Sequence, residues 1–131
     1  MIVSNTTFLR AKGGIVDSDE IVGCKVENPK GENLGKIESV MLDLGEGRVI
    51  YAVLSFGGFL GMGDKLFPVP IDALSFKADE KGKIQRCILD IDKDTLKDAP
   101  GYDKDNLPST ADRSYASSVY TYYGYTPWWG E

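Results

Sequence analysis

The chain has 131 residues, of which 42% are hydrophobic and 27% are charged. This length suits one domain with one core, and this composition excludes disordered, collagen-like and coiled-coil chains. The net charge of −5 is opposite in sign to the basic surface of most nucleic-acid binders and argues against nucleic acid as a partner. The chain has no histidine, so it lacks the usual acid–base catalyst near neutral pH and the commonest transition-metal ligand.

The two cysteines, Cys24 and Cys87, each lie within an apolar stretch. This is typical of small buried thiols in a reducing compartment, although the sequence leaves open whether the two ever pair. Residues 1–12 lack the charged start and apolar run of a signal peptide. The longest apolar stretch, residues 49–56, is far shorter than the ~20 residues that cross a bilayer. We therefore expect a soluble, cytoplasmic protein without a transmembrane segment.

Short apolar runs separated by turn residues begin at Ile21 and indicate an all-β sandwich or barrel. The first run alternates apolar and polar side chains, which predicts a strand followed by a turn at residues 28–31. Residues 34–44 are ambiguous, because their apolar positions fit both a helix and a strand. Residues 48–56 are almost continuously apolar and β-forming, which predicts a central strand covered on both faces.

Residues 57–63 are rich in glycine and predict a loop. Two prolines within residues 66–70 exclude a central strand there, so we predict a strand at the edge or rim of the sheet. Two further strands are predicted over residues 74–78 and 84–91, with a turn between them. The fold class is therefore all-β, a small five- or six-stranded β-barrel.

The sequence changes character after Asp92. Residues 92–96 predict a single helical turn, which Pro100 ends. Ser109 and Asp112 resemble a capping box, and the aromatic residues that follow at helical spacing predict a short helix that ends at Gly124.

These patterns divide the chain into an N-terminal extension (residues 1–17), a barrel (18–97) and a C-terminal aromatic extension (98–131). The aromatic extension contains both tryptophans and six of the seven tyrosines. A barrel of this size is close to the lower limit for one sufficient core, and aromatic residues at this density promote aggregation when exposed. We expect the extension to pack on the barrel or on a second subunit, and the sequence leaves that choice open.

No catalytic, cofactor-binding or metal-binding set is apparent. The glycine-rich stretch has Asp64 where a phosphate-binding loop requires lysine. Asp90, Asp92 and Asp94 have the spacing that starts a calcium-binding EF-hand loop, but Thr95 stands where glycine is required. Neither cysteine has a histidine to activate it. We predict that the protein is not an enzyme and that it holds no cofactor and no metal.

Four segments resemble the PRC-barrel family, a small β-barrel found in the H subunit of the photosynthetic reaction centre and at the C-terminal end of a ribosome maturation factor. They are residues 21–26 (IVGCKV), 31–37 (GENLGKI), 51–58 (YAVLSFGG) and 67–70 (FPVP). The resemblance implies that residues 34–44 form a strand, and it implies a protein-interaction or assembly platform without catalytic residues. The chain lacks the membrane helix of the first relative and the N-terminal domain of the second, so we expect a stand-alone prokaryotic member.

We therefore predict a non-catalytic interaction module that forms a homo-oligomer, most simply a dimer, with an unidentified protein partner. The candidate contact residues are Phe59, Leu60 and Met62 in the glycine-rich stretch, and Tyr115, Tyr122, Tyr123, Trp128 and Trp129 in the aromatic extension. Two alternatives remain open. One is an RNA- or ribosome-associated factor, because aromatic side chains stack on bases, and the other is a barrel that binds a small ligand.

Overall fold

The computed structural model describes residues 14–57, 65–103 and 113–129. Its strands are β1 (Lys25–Glu27), β2 (Asn33–Asp43), β3 (Arg48–Phe56), β4 (Lys65–Val69), β5 (Leu74–Ala78), β6 (Ile84–Leu89) and β7 (Tyr102–Asp103). Its helices are α1 (Ser18–Ile21), a 3₁₀ turn (Ile71–Ala73), α2 (Lys93–Lys97) and α3 (Arg113–Tyr122).

The strands form one sheet in the order β5-β6-β1-β2-β3-β4-β7. The predicted all-β, barrel-like fold with a short C-terminal helix is confirmed. The sheet differs from the prediction in two details. It has seven strands, and in the described parts of the chain no hydrogen-bonded ladder joins β5 to β7 to close the ring.

The predicted first strand begins too early, because residues 18–21 form α1 and the strand itself starts only at Lys25. The side chain of Asp17 accepts a hydrogen bond from the backbone N–H of Asp19 (2.9 Å), and Glu20 Oε2 accepts one from the N–H of Asp17 (3.4 Å). This reciprocal capping stabilises a single helical turn. Val22, which belongs to the first apolar run of the sequence, lies in the turn after α1 and is 43% exposed.

Strand β1 joins two antiparallel units of the sheet, the β5–β6 hairpin and the meander that contains β2, β3 and β4. It pairs with β2 in antiparallel fashion and runs parallel to β6, with Val26 opposite Cys87 and Glu27 opposite Ile88. We call this parallel β1–β6 pairing the seam. An ion pair crosses it, with Arg86 Nε 3.5 Å from Glu27 Oε1.

Strands β2 and β3 form the long hairpin at the centre of the sheet. The strand that the family resemblance implied for residues 34–44 is confirmed by β2. Residues 51–56 of β3 are all buried, as predicted for a central strand covered on both faces. Ala52, Leu54 and Phe56 lie in the main core, whereas Tyr51 and Val53 lie in a second apolar cluster on the opposite face.

Strand β4 pairs with β3 along its whole length but with β7 only at Lys65 and Leu66. Pro68 lies opposite Val53 and beyond the end of β7. Because β7 does not extend to Pro68, the missing N–H of proline costs the sheet no hydrogen bond there. The predicted edge strand at residues 66–70 is therefore right for residues 67–69, whereas Leu66 pairs with strands on both sides. Strand β7 was not predicted, because two residues carry no periodicity.

Asn28 is a buried polar residue that ties the β1–β2 turn to the chain beyond β6. Its Oδ1 accepts hydrogen bonds from the backbone N–H groups of Lys30 (3.1 Å) and Glu32 (2.9 Å), and its Nδ2 donates to the carbonyl of Ile91 (3.2 Å).

We expect Asn28→Ala to lower the free energy of unfolding by about 2 kcal/mol, because buried backbone groups lose their partners. Urea denaturation measures this loss. The control Lys30→Ala removes only an exposed ion pair with Asp92 and should change the free energy by less than about 0.5 kcal/mol; equal losses would contradict the expectation.

Candidate interaction surface

Helix α3 lies over the outer face of the sheet and buries three of its residues, Ala116, Val119 and Tyr120. Ala116 joins the second apolar cluster, which also contains Leu66 of β4. The predicted aromatic helix is present, and Gly124 follows its last turn with a φ of +83°. The predicted cap at Ser109 and Asp112 lies outside the described residues.

Tyr120 holds α3 and residues 123–129, together called the tail, against β3. Its side chain is 1% exposed, and its hydroxyl donates to the carbonyl of Ile50 at 2.5 Å. The same hydroxyl accepts a hydrogen bond from Trp128 Nε1 at 3.0 Å. The ring of Trp129 meets the Tyr120 ring edge-on, with 4.9 Å between centroids. Burial raises the pKa of Tyr120, so its hydroxyl keeps its proton near neutral pH.

Two arginines link the tryptophans to the end of the β2–β3 hairpin. The guanidinium carbon of Arg48 lies 4.1 Å from the centre of a Trp128 ring, a cation–π contact. Arg113 lies 5.8 Å from the centre of a Trp129 ring, and its Nη2 pairs with Asp43 Oδ2 at 2.6 Å. Asp43 ends β2 and Arg48 begins β3, so the tail and the hairpin end form one continuous surface.

The predicted contact residues of the tail lie in different environments. Trp128 and Trp129 are partly buried in the packing just described, and Tyr123 packs against the main core. Burial raises the pKa of Tyr115 to about 12. Tyr122 is 38% exposed, and its hydroxyl donates to a backbone carbonyl of α2 at 2.7 Å. All five side chains therefore contact, or lie close to, other residues of the same chain, and Tyr122 is the most exposed of the five.

The other predicted contact residues, Phe59, Leu60 and Met62, lie outside the described residues. The structure instead reveals two exposed leucines that the sequence analysis did not single out as contacts. Leu42 is 61% exposed and Leu44 is 86% exposed, and together we call them the hairpin tip. Their alternation with Val40 is visible in the sequence as one strand face. That pattern does not show that the hairpin extends beyond the core.

A cleft of about 820 Å³ lies beside α1. Acidic residues at positions 17, 19 and 20 line it, together with Lys25, Lys83 and Cys24. Burial raises the pKa of the Cys24 thiol, so this group is protonated near neutral pH and is a weak nucleophile. The cleft is thus lined mainly by polar residues and by one buried cysteine.

The acidic residues that resemble an EF-hand start are placed as ordinary surface charges. Asp92 Oδ1 lies 3.7 Å from Lys30 Nζ, and Asp94 Oδ1 lies 3.8 Å from Lys97 Nζ. Over the ranges that the structure describes, no group of three Cys, Asp or Glu side chains is arranged to hold a metal ion.

The fold and this surface define a small, barrel-like β-module with apolar side chains exposed at one hairpin end. The family model of the PRC-barrel domain matches residues 14–96, and the chain belongs to the PRC-barrel family. The resemblance noted in the sequence is confirmed, and PRC-barrel domains are generally non-catalytic. A comparison with curated proteins finds no match. Within residues 14–57, 65–103 and 113–129, no helix combines the length and the apolar character that crossing a membrane requires.

Proposed function

We propose that this PRC-barrel protein is a non-catalytic interaction module that forms a dimer through the hairpin tip and the adjoining part of the tail. The exposure of the hairpin tip carries this proposal, because Leu42 and Leu44, two positions apart in the chain, expose 61% and 86% of their surfaces. Exposed apolar side chains grouped on a surface mark a contact site. In a symmetric dimer the same patch of each copy meets its equivalent, so four leucines would share one apolar centre.

The contacts around the hairpin tip support a rigid surface. Asp43, which lies between the two leucines of the tip, pairs with Arg113 of the tail, and Arg48, at the start of β3, contacts Trp128. A surface that is ordered before binding loses little conformational freedom when it binds. Each copy carries a net charge of −5, so the two copies repel at long range, and we expect added salt to strengthen the association.

The placement of Arg48 also weighs against RNA as the occupant of this surface. Stacking on a base requires a free aromatic face, and the Arg48 guanidinium lies over Trp128. The acidic net charge adds to this argument.

We expect the double variant Leu42→Ser, Leu44→Ser to raise the dimer dissociation constant at least about tenfold, because each buried leucine contributes more than the 1.4 kcal/mol that a tenfold change requires. Sedimentation equilibrium over a range of concentrations measures this constant. The control is Ile15→Ser, which removes a still more exposed apolar side chain (96%) from the segment before α1 and should leave the constant unchanged. A wild-type protein that stays monomeric at high concentration would disprove the proposal, as would a double variant whose dissociation constant equals that of the wild type.

A further inference from the structure

We propose that a row of four basic side chains across the outer face of the sheet binds an acidic segment of a partner protein. The four residues lie on adjacent strands and are Lys77 of β5, Arg86 of β6, Lys25 of β1 and Lys36 of β2. We call them the basic row. The hairpin tip is at the opposite end of β2, so this inference does not rest on the proposed dimer.

The strand pairing places the four side chains next to one another. Lys77 lies directly opposite Arg86, and Lys25 lies directly opposite Lys36. The parallel register of the seam joins these two pairs, because it makes Lys25 and Arg86 neighbours. Adjacent strands are about 4.8 Å apart, so the basic row crosses about 14 Å of the sheet.

The basic row lies on the face of the sheet that is turned away from the main core. The residues on either side of Lys25 belong to the main core, and so does Cys87, which follows Arg86. Side chains alternate between the two faces along a strand, and directly opposite residues share a face. The members on β6, β1 and β2 are exposed to solvent, and Lys77 is half-buried.

This arrangement of charges lowers the stability of the fold, because like charges directly opposite each other in a sheet repel. The chain has 20 acidic residues against 15 basic ones, so the composition does not force basic residues to be neighbours. In the parts of the chain that the structure describes, none of the three lysines forms an ion pair. A local arrangement that opposes stability is typical of a functional site.

The basic row already contacts one carboxylate of its own chain. Glu27 Oε1 lies 3.5 Å from Arg86 Nε, and Glu27 follows Lys25 by two residues on the same face. Two acidic residues of the nearby cleft, Asp17 and Glu20, instead accept hydrogen bonds from the backbone of α1. The three lysines therefore offer positions for further carboxylates.

An acidic peptide fits the length and the charge of the basic row. An extended chain advances about 3.3 Å per residue, so a segment of about five residues that is rich in Asp and Glu spans it. Nucleic acid fits less well, because the basic row contains no aromatic side chain on which a base could stack. The net charge of −5 also repels a long phosphate backbone more strongly than a short peptide.

The test uses a fluorescent peptide of six glutamates, titrated with the full-length protein at low salt and followed by fluorescence anisotropy. We expect the double variant Lys25→Gln, Lys36→Gln to raise the dissociation constant roughly fivefold, because each exposed ion pair contributes modestly. The matched control Lys30→Gln, Lys81→Gln removes the same charge from two exposed turns and should bind like the wild type. Undetectable binding to the wild type, or an equal loss in the control, would overturn the proposal.

Two comparisons identify the occupant and separate this proposal from the dimer. Added salt should weaken peptide binding, whereas it should strengthen the dimer, and Leu42→Ser, Leu44→Ser should bind the peptide like the wild type. A single-stranded RNA of six nucleotides should bind more weakly than the peptide. RNA binding that is at least as tight would overturn the assignment of an acidic peptide.

The stability of the double variant gives a second readout that needs no ligand. Lys25→Gln, Lys36→Gln should melt at or above the wild-type temperature at low salt, because the substitutions relieve repulsion between opposed charges. A lower melting temperature would show that these lysines stabilise the fold, and it would also overturn the proposal.

Discussion

Replacement of Gly35 by alanine is expected to lower the free energy of unfolding by about 4 kcal/mol, which combines the cost of a left-handed backbone with that of a steric overlap. Gly35 lies within β2 at a φ of +111°, a conformation that disfavours any side chain. A Cβ at this position would overlap the carbonyl oxygen of Ser55 on β3 and would lie 3.2 Å from the Cα of Phe56. Both neighbours belong to the central strand, which is buried on both faces and has no room to move.

Urea denaturation followed by circular dichroism measures this loss. The matched control is Gly31→Ala, at a φ of +87° with no atom within 4 Å of the added Cβ. It should cost only about 1 kcal/mol, since the backbone strain remains and the overlap is absent. If the two variants lose the same free energy of unfolding, the requirement for glycine at position 35 does not come from close packing.

Removal of the Tyr120 side chain is expected to have an effect of similar size. Tyr120→Ala should lower the free energy of unfolding by about 4 kcal/mol, because it empties a fully buried aromatic site. It should also detach the tail, since Trp128 and Trp129 both contact Tyr120. These are the two tryptophans of the chain, so their fluorescence should shift to longer wavelength in the variant before the sheet unfolds.

A more conservative change separates the hydrogen bonds of Tyr120 from its packing. Tyr120→Phe keeps the ring but leaves the Ile50 carbonyl and Trp128 Nε1 without this partner, and we expect a loss of about 2 kcal/mol. Tyr122→Phe is the matched control, because it removes a tyrosine hydroxyl at an exposed position and should change stability by less than about 0.5 kcal/mol. A Tyr120→Phe protein as stable as the wild type would show that the network contributes nothing.

Sequence reasoning succeeded where burial alone decides the structure. The continuous apolar run of β3 predicts burial on both faces. In the structure the main core covers one face and α3 covers the other.

Periodicity failed to predict β2 for a specific reason. Irregularities in its pairing with β3, between Ile37 and Ser39 and between Met41 and Leu42, shift the register, so apolar residues do not alternate strictly along the strand. The family resemblance supplied the answer that the local pattern could not.

The candidate surface was less predictable because its contacts are distant in sequence. The tail is held by the backbone carbonyl of Ile50 and by the side chains of Asp43 and Arg48. No sequence pattern indicates that these groups contact the tail. The aromatic density did indicate that the extension needs a surface to cover it. The exposure of Leu42 and Leu44 depends on where the hairpin leaves the core, which is a property of the whole sheet.

The seam has a consequence for how the protein folds. It brings residues 26 and 87 together, whereas within each antiparallel unit the paired strands are neighbours in sequence. Closing such a long loop costs more chain entropy than forming a hairpin, so the two units should each form early and dock late. On the ribosome, β1 has no β6 to join until most of the chain has been synthesised. The docking step is therefore expected to limit the folding rate of the newly made protein.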